Sequence, residues 1–227
     1  MELSDLEVRI HQFFTSFYSL YKNNYRLFVE IFLRGIDEDI RNLPEQNRIL
    51  VNSVAEIIRI LRVINYDTLS EMREFVEKHR SSYRYVIVVD CLGIPDMYAL
   101  WSLAYRKGFM PIVKRFINIK AITQSFKEIF GADRMADVAS SLHGLIIKRL
   151  DTLLHTDMPS GGLTRDNLIF ILIKRMAYVS TLPLERKTMV LSDHGYDIER
   201  SNSLYVISHW YVKGSVLAKL APVILIK

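Results

Sequence analysis

"YVIVVDCLGIPDMYALWSLAYRKGFMPIVKRFINI", residues 85 to 119, decides the fold class. It opens on a short β-branched run, Tyr85–Val89, reads as a helix over Asp96–Lys107, and becomes extended again over Pro111–Ile119. A strand, a crossover helix and a second strand joined by short links form the unit from which parallel sheets are built. The alternation continues downstream. A helix over Thr123–Phe130 stops at Gly131, a strand follows around Leu145–Leu150, and a helix spans Arg165 to Tyr178. Strands at Thr188–Leu191, Leu204–Ser208 and Ala221–Ile226 complete the series. Residues 83–227 therefore read as an α/β domain with a mostly parallel sheet and flanking helices.

Upstream the period changes. In residues 1–82 the apolar side chains recur at helical spacing, as in Leu27, Phe28, Ile31 and Phe32, then Leu50, Val54, Ile57, Ile58 and Leu61. The pattern predicts an all-helical N-terminal region of two long helices and a shorter third. Its breaks fall at Gly35 with the acidic run Asp37 to Asp39, at Pro44, and at Thr68-Leu-Ser-Glu71, a capping box. Phe13, Phe14, Phe17, Tyr18 and Tyr21 fit the buried face of a helix better than a base-stacking platform. This region is expected to cover the sheet or one of its edges, and it offers a surface for a protein partner.

Composition narrows the classes. Half of the 227 residues are apolar, enough for an ordinary core, and no run approaches the roughly 20 apolar residues of a membrane span. With no signal peptide in view, a soluble cytoplasmic protein is the expectation. The single Cys91 excludes an internal disulfide and a thiolate-cluster zinc site, so any metal must sit on nitrogen and oxygen. A net charge of +5 favours anionic partners such as phosphates or nucleic acid, but the Lys and Arg residues are scattered and form no recognisable nucleic-acid-binding motif.

In open α/β sheets ligands bind beyond the carboxyl ends of the strands. Those positions carry Asp90, then Asp151 and His155, then Asp193 and His194, and finally His209. Each has an ordinary explanation alone: Asp90 as a helix cap, Asp151 and His155 as a polar i,i+4 pair, His209 as a satisfied histidine. Together they are the oxygen and nitrogen donors that Zn or Mn prefer, in the number that a two-metal site needs. Asp193 and His194 would face opposite ways in an extended strand, so sharing one ion requires a turn, which Gly195 would allow.

The ordered set Asp, Asp-x-x-x-His, Asp-His-Gly and a late His resembles the alkaline phosphatase superfamily, and within it PglZ-type domains. The likeness rests on "VIVVDCLG" (86–93), "LHGLIIKRLDTLLH" (142–155), "VLSDHGY" (190–196) and "HWYVKGSVLAKLAPVILI" (209–226). It covers residues 83–227 and implies an alkaline phosphatase-like sheet and two divalent metal ions. By that resemblance Asp151, His155 and His209 hold one metal, and Asp90, Asp193 and His194 hold the second together with the nucleophile. The nucleophile implied is Thr123, with Ser125 as the alternative. A hydroxyl at a helix N-terminus near a dication ionises more readily, although Thr123 could equally be a plain N-cap. The chain departs from the family's pattern where Cys91 follows Asp90 in place of glycine, and it lacks the Pro-Ser/Thr signature before the nucleophile.

Three carboxylates and an alkoxide nearly balance two dications, and without the alkoxide the site keeps about one positive charge, so an anionic phosphoryl group would be attracted and its developing charge stabilised by both ions. The resemblance implies in-line attack by Thr123 on a phosphate ester, of a nucleotide or nucleic acid among others, and then hydrolysis of a phosphothreonine. The function expected is a phosphatase or phosphodiesterase. The alternative is a noncatalytic PglZ-type component of a larger assembly such as a phage-defence system.

Overall fold

The computed structural model describes residues 4–61, 67–157, 162–208 and 217–227, apart from the side chains of residues 156 and 157. The strands are β1 (Tyr85–Val89), β2 (Pro111–Ile117), β3 (Leu145–Ile147), β4 (Thr188–Ser192), β5 (Asp197–Ser201), β6 (Leu204–Ser208) and β7 (Leu220–Ile226). Five of them form one sheet in the order β2-β7-β4-β1-β3, while β5 and β6 pair as a separate hairpin. β1 runs parallel to β3 and β4, and β7 runs antiparallel to β4 and β2. The sheet is therefore mixed, with only β7 reversed. The reversal is visible where β4 ends. The Gly195 N–H donates to Ala218 O, so the chain entering β7 lies beside the exit of β4 and runs back along it. A parallel entry would have needed a crossover to the other end of the sheet.

The helices are α1 (Asp5–Tyr21), α2 (Tyr25–Ile36), α3 (Glu45–Leu61), α4 (Leu69–Arg80), α5 (Ile94–Arg106), α6 (Thr123–Ile129), α7 (Met135–Ser141), α8 (Arg149–Asp157) and α9 (Arg165–Val179). Strand alternation sends side chains to two cores. Ile87, Val89, Val190 and Ile224 face α5, α9 and, beyond them, α1 to α3. Val86, Val88, Leu191 and Val223 face α4, α6 and α7. In the first core Phe14, Phe17 and Phe28 surround Tyr98, whose ring stacks on Phe28 at 4.0 Å. Such ring pairs each contribute about 0.5–1.5 kcal/mol beyond area burial. Phe13, Phe14 and Phe17 are thus core, as their spacing predicts, and Tyr18 and Tyr21 pack half-buried against it.

α1 also closes the open edge of the sheet. The outward N–H groups of β2 at Val113 and Arg115 donate to His11 Nε2 (3.0 Å) and Glu7 Oε1 (3.1 Å), and that of Ile117 donates to Asp67 O (2.8 Å). The match is geometric: four helical residues rise about 6 Å, close to the roughly 6.8 Å between alternate strand residues. Glu7 is buried and also receives Lys114 Nζ at 2.9 Å. An edge strand that would otherwise invite intermolecular pairing is thereby occupied.

Several expected elements differ. The first long helix is two, because Lys22 adopts φ 53° and Asn24 caps α2 through Leu27 N–H. The expected strand Leu145–Leu150 ends at Ile147, and α8 begins at Arg149, so Asp151 and His155 lie on a helix. Pro111–Ile119 ends as a strand at Ile117. α7 has no counterpart in the sequence reading, and Leu204–Ser208 belongs to the hairpin and not to the main sheet. Among the described residues no helix is long and apolar enough to cross a membrane.

Candidate metal centre

The parallel register of β1 and β4 builds the site. Val89 pairs with Ser192, so the next residues, Asp90 and Asp193, leave the sheet side by side. The Asp90 N–H donates to Ile147 O at 2.9 Å and fixes Asp90 against β3 as well. His194 follows Asp193, and the loop after β2 brings in Thr123. Ligand atoms of Asp90, Asp193 and His194 lie within 4.8 Å of one another. Asp193 and His194 are buried and Asp90 is half-buried.

Asp193 is held on both oxygens. Its Oδ1 accepts the N–H groups of Cys91 (3.1 Å) and His194 (2.9 Å), and Cys91 takes φ 65° to present that N–H. Its Oδ2 accepts the Thr123 hydroxyl at 2.7 Å and lies 3.3 Å from His194 Nε2. Thr123 is the first helical residue of α6, whose N-cap is Ile122, so the hydroxyl is not spent on capping. Asn118 Nδ2 donates to Asp193 O (3.0 Å) and Ile122 O (2.8 Å), tying the Thr123 loop to β4. Ser192 Oγ donates to His194 O at 2.9 Å and accepts Leu92 N–H at 3.1 Å.

The surroundings of His194 suit a cation. Its Nδ1 lies 2.9 Å from Gly195 O, and its Nε2 faces a carboxylate oxygen. A neutral imidazole donates only once. With Nδ1–H given to the carbonyl, the usual arrangement for a metal-ligating histidine, the Nε2 lone pair and Asp193 Oδ2 point into the same space. Thr123 Oγ1 stands 3.5 Å from the same nitrogen, and in the lone-pair tautomer two carboxylates and an imidazole form a group that could hold a metal ion. The glycine of Asp-His-Gly has a different role from the expected turn. A Cβ at Gly195 would stand 2.6 Å from Leu217 O, so the residue permits close backbone approach.

Burial pushes the Asp90 carboxyl up to about 7, helped by the negative charges of Asp193 and Asp151 and opposed by His194 and Lys148. Asp151 is thus near enough to act on Asp90. On α8 it also meets His155, with Nε2 3.3 Å from Asp151 Oδ2. Asp90, Thr123, Asp193 and His194 therefore converge, whereas Asp151 and His155 lie outside the group whose ligand atoms meet within 4.8 Å, and His155 is exposed. His209 lies outside the described residues. Ser125 lines a cavity of about 260 Å³ with Thr68, Asn118 and Glu128, and none of Asp90, Thr123, Asp193 and His194 lines it.

No protein-family model, curated protein or solved structure matches this chain. The geometry and the order of its polar blocks carry the functional argument.

Three residues that support the site are absent from the sequence reading as site residues. Asn118 carries no signal beyond following a strand. Asp96 reads as a helix-start residue, and it does accept Gly93 N–H at 3.0 Å, but it also pairs with Arg175 at 2.7 Å. Arg175 does leave a trace. The buried residues of α9 are Leu168, Ile169, Ile171, Leu172, Arg175, Met176 and Val179, and a charge at a core position of an amphipathic helix needs a partner.

Proposed function

We propose that this chain is a metal-dependent phosphoryl-ester hydrolase, a phosphatase or phosphodiesterase, with Thr123 as nucleophile and two divalent ions, Zn or Mn. On this reading the mixed sheet is of the alkaline phosphatase-like type and residues 83–227 form a PglZ-type domain. The observation that carries it is the meeting of Thr123 Oγ1 with Asp193 Oδ2 at 2.7 Å, inside the group formed by Asp90, Asp193 and His194. Asp90, Asp193 and His194 would hold one ion. Asp151 and His155, with His209, would hold the other. Bound ions would supply Lewis acidity toward a phosphoryl oxygen and offset the crowded carboxylates.

The side chains divide the remaining work. Asp193 Oδ2 holds the Thr123 proton and so orients the hydroxyl, while Oδ1 is anchored by two main-chain N–H groups. Thr123 Oγ1 forms the new bond to phosphorus as the bond to the ester oxygen breaks, and the alcohol leaves. Water then cleaves the phosphothreonine, freeing the product and restoring the hydroxyl. The ester could belong to a nucleotide or a nucleic acid.

Metal content of the purified protein, with hydrolysis of a chromogenic phosphate monoester and diester in the presence and absence of Zn²⁺ or Mn²⁺, tests the proposal. Asp193→Ala is expected to lose both metal and turnover. Unchanged turnover in that variant would remove the enzyme reading.

A further inference from the structure

Arg175 is a fully buried cation on α9. Its guanidinium reaches four groups. Nε lies 3.3 Å from Asp96 Oδ1, Nη2 donates to Asp96 Oδ2 and to Cys91 O, both at 2.7 Å, and Nη1 donates to Leu150 O. The guanidinium carbon lies 4.7 Å from the centre of the Tyr196 ring. Asp96 is equally buried.

These contacts fall beside the candidate ligands. Cys91 follows Asp90, and its own N–H holds Asp193. Leu150 precedes Asp151. Tyr196 is two residues beyond His194. One guanidinium therefore touches the three chain segments that deliver the carboxylates and the imidazole. Tyr196 is seated closely, since a Cβ on Gly93 would come within 2.3 Å of its ring.

A core ion pair needs only Asp96 to neutralise Arg175, and a buried pair is often no more stabilising than well-packed apolar side chains. The bonds to two main-chain carbonyls call for a different account. The planar fork of arginine directs several donors at fixed angles, which a lysine ammonium cannot do. We propose that Arg175, neutralised by Asp96, is a positioning residue that sets the spacing of Asp90, Asp151 and the Asp193–His194 segment. The inference rests on reading those residues as ligands, and it assigns Arg175 no contact with substrate. Partners behind metal ligands usually matter 10–100-fold in metal affinity.

The test uses the full chain with Arg175→Lys, and with the charge-free double variant Arg175→Gln/Asp96→Asn in case the lysine variant does not fold. Hydrogen exchange of the metal-free proteins is followed by mass spectrometry, and Zn²⁺ affinity is measured against a chromogenic chelator. The expected result is exchange faster by at least ~10-fold in segments 90–93, 150–152 and 193–196, with β7 unchanged, and Zn²⁺ affinity lowered by ~10–100-fold. Uniform acceleration that includes β7 would mark Arg175 as general core support and overturn the proposal. Wild-type exchange in the three segments of a folded variant would overturn it too, and if Zn²⁺ still binds, the metal reading stands without it. Local loosening in the variant, with no Zn²⁺ or Mn²⁺ taken up by the wild type, would uphold the positioning role and remove the metal reading.

Discussion

Replacing Thr123 with valine removes a hydroxyl while nearly preserving shape, and the structure bounds what that should cost. The lost bond, Thr123 Oγ1 to Asp193 Oδ2 at 2.7 Å, has a carboxylate acceptor, a type that contributes about 1.5–3 kcal/mol. Asp193 keeps the N–H groups of Cys91 and His194, so the carboxylate is not stranded. For a chain of this size 1 kcal/mol moves Tm by roughly 2–4 °C, giving a fall of about 3–12 °C and a folded variant. Loss of a nucleophile acts on another scale, and turnover of a chromogenic phosphate ester should drop at least ~10³-fold. Thr123→Ser should restore activity to within ~10-fold, since it returns an oxygen to the same atom position. Differential scanning fluorimetry, steady-state kinetics and intact-mass detection of a phosphoryl adduct in the wild type alone would check the set. A valine variant that turns over at the wild-type rate would refute the nucleophile assignment, and with it the chemical reason for Thr123 meeting Asp193.

Three other outcomes follow from the geometry. Asp90 titrates near 7 in the metal-free protein, against about 3.9 when unfolded. The folded state holds that proton more tightly, so stability falls as pH rises from about 4 through 7, by up to roughly 4 kcal/mol. Urea midpoints at pH 5 and 8 in chelator should show this slope, and Asp90→Asn should flatten it; an equal slope in the variant would contradict the account. Gly195→Ala forces a Cβ to 2.6 Å from Leu217 O, an overpacking worth about 1–3 kcal/mol. Its Tm should fall and its Zn²⁺ uptake weaken, whereas a neutral outcome would mean that the β4 exit yields freely. Glu7→Ala strips the β2 edge of its acceptor at Arg115 N–H and separates Lys114 from its partner. A loss of ~2–4 kcal/mol, or a Tm drop on the order of 10 °C, is expected in thermal melts; an unshifted Tm would show that the Glu7 contacts add nothing to the docking of α1 on β2.

The sequence alone determined the alternation of elements and the identity of the polar residues at strand exits, because both depend on local spacing. Tyr85–Val89 and Thr188–Leu191 are recognisable from β-branched and apolar runs; Asp90 follows the first directly and Asp193 follows the second after Ser192. Short-range chemistry was less legible where no glycine or proline marks a break: Lys22 to Asn24 divides what reads as one helix, and Ile147 gives way to α8 before Asp151. The direction of β7, the pairing of Val89 with Ser192 and the meeting of Thr123 with Asp193 were decided only by the tertiary structure. Each joins residues far apart along the chain, and register between distant strands comes from packing two faces at once and from no local preference. The same holds for Arg175. Its place on the buried stripe of α9 shows that a partner is required, but only the folded chain shows that Asp96, Cys91 and Leu150 together supply it.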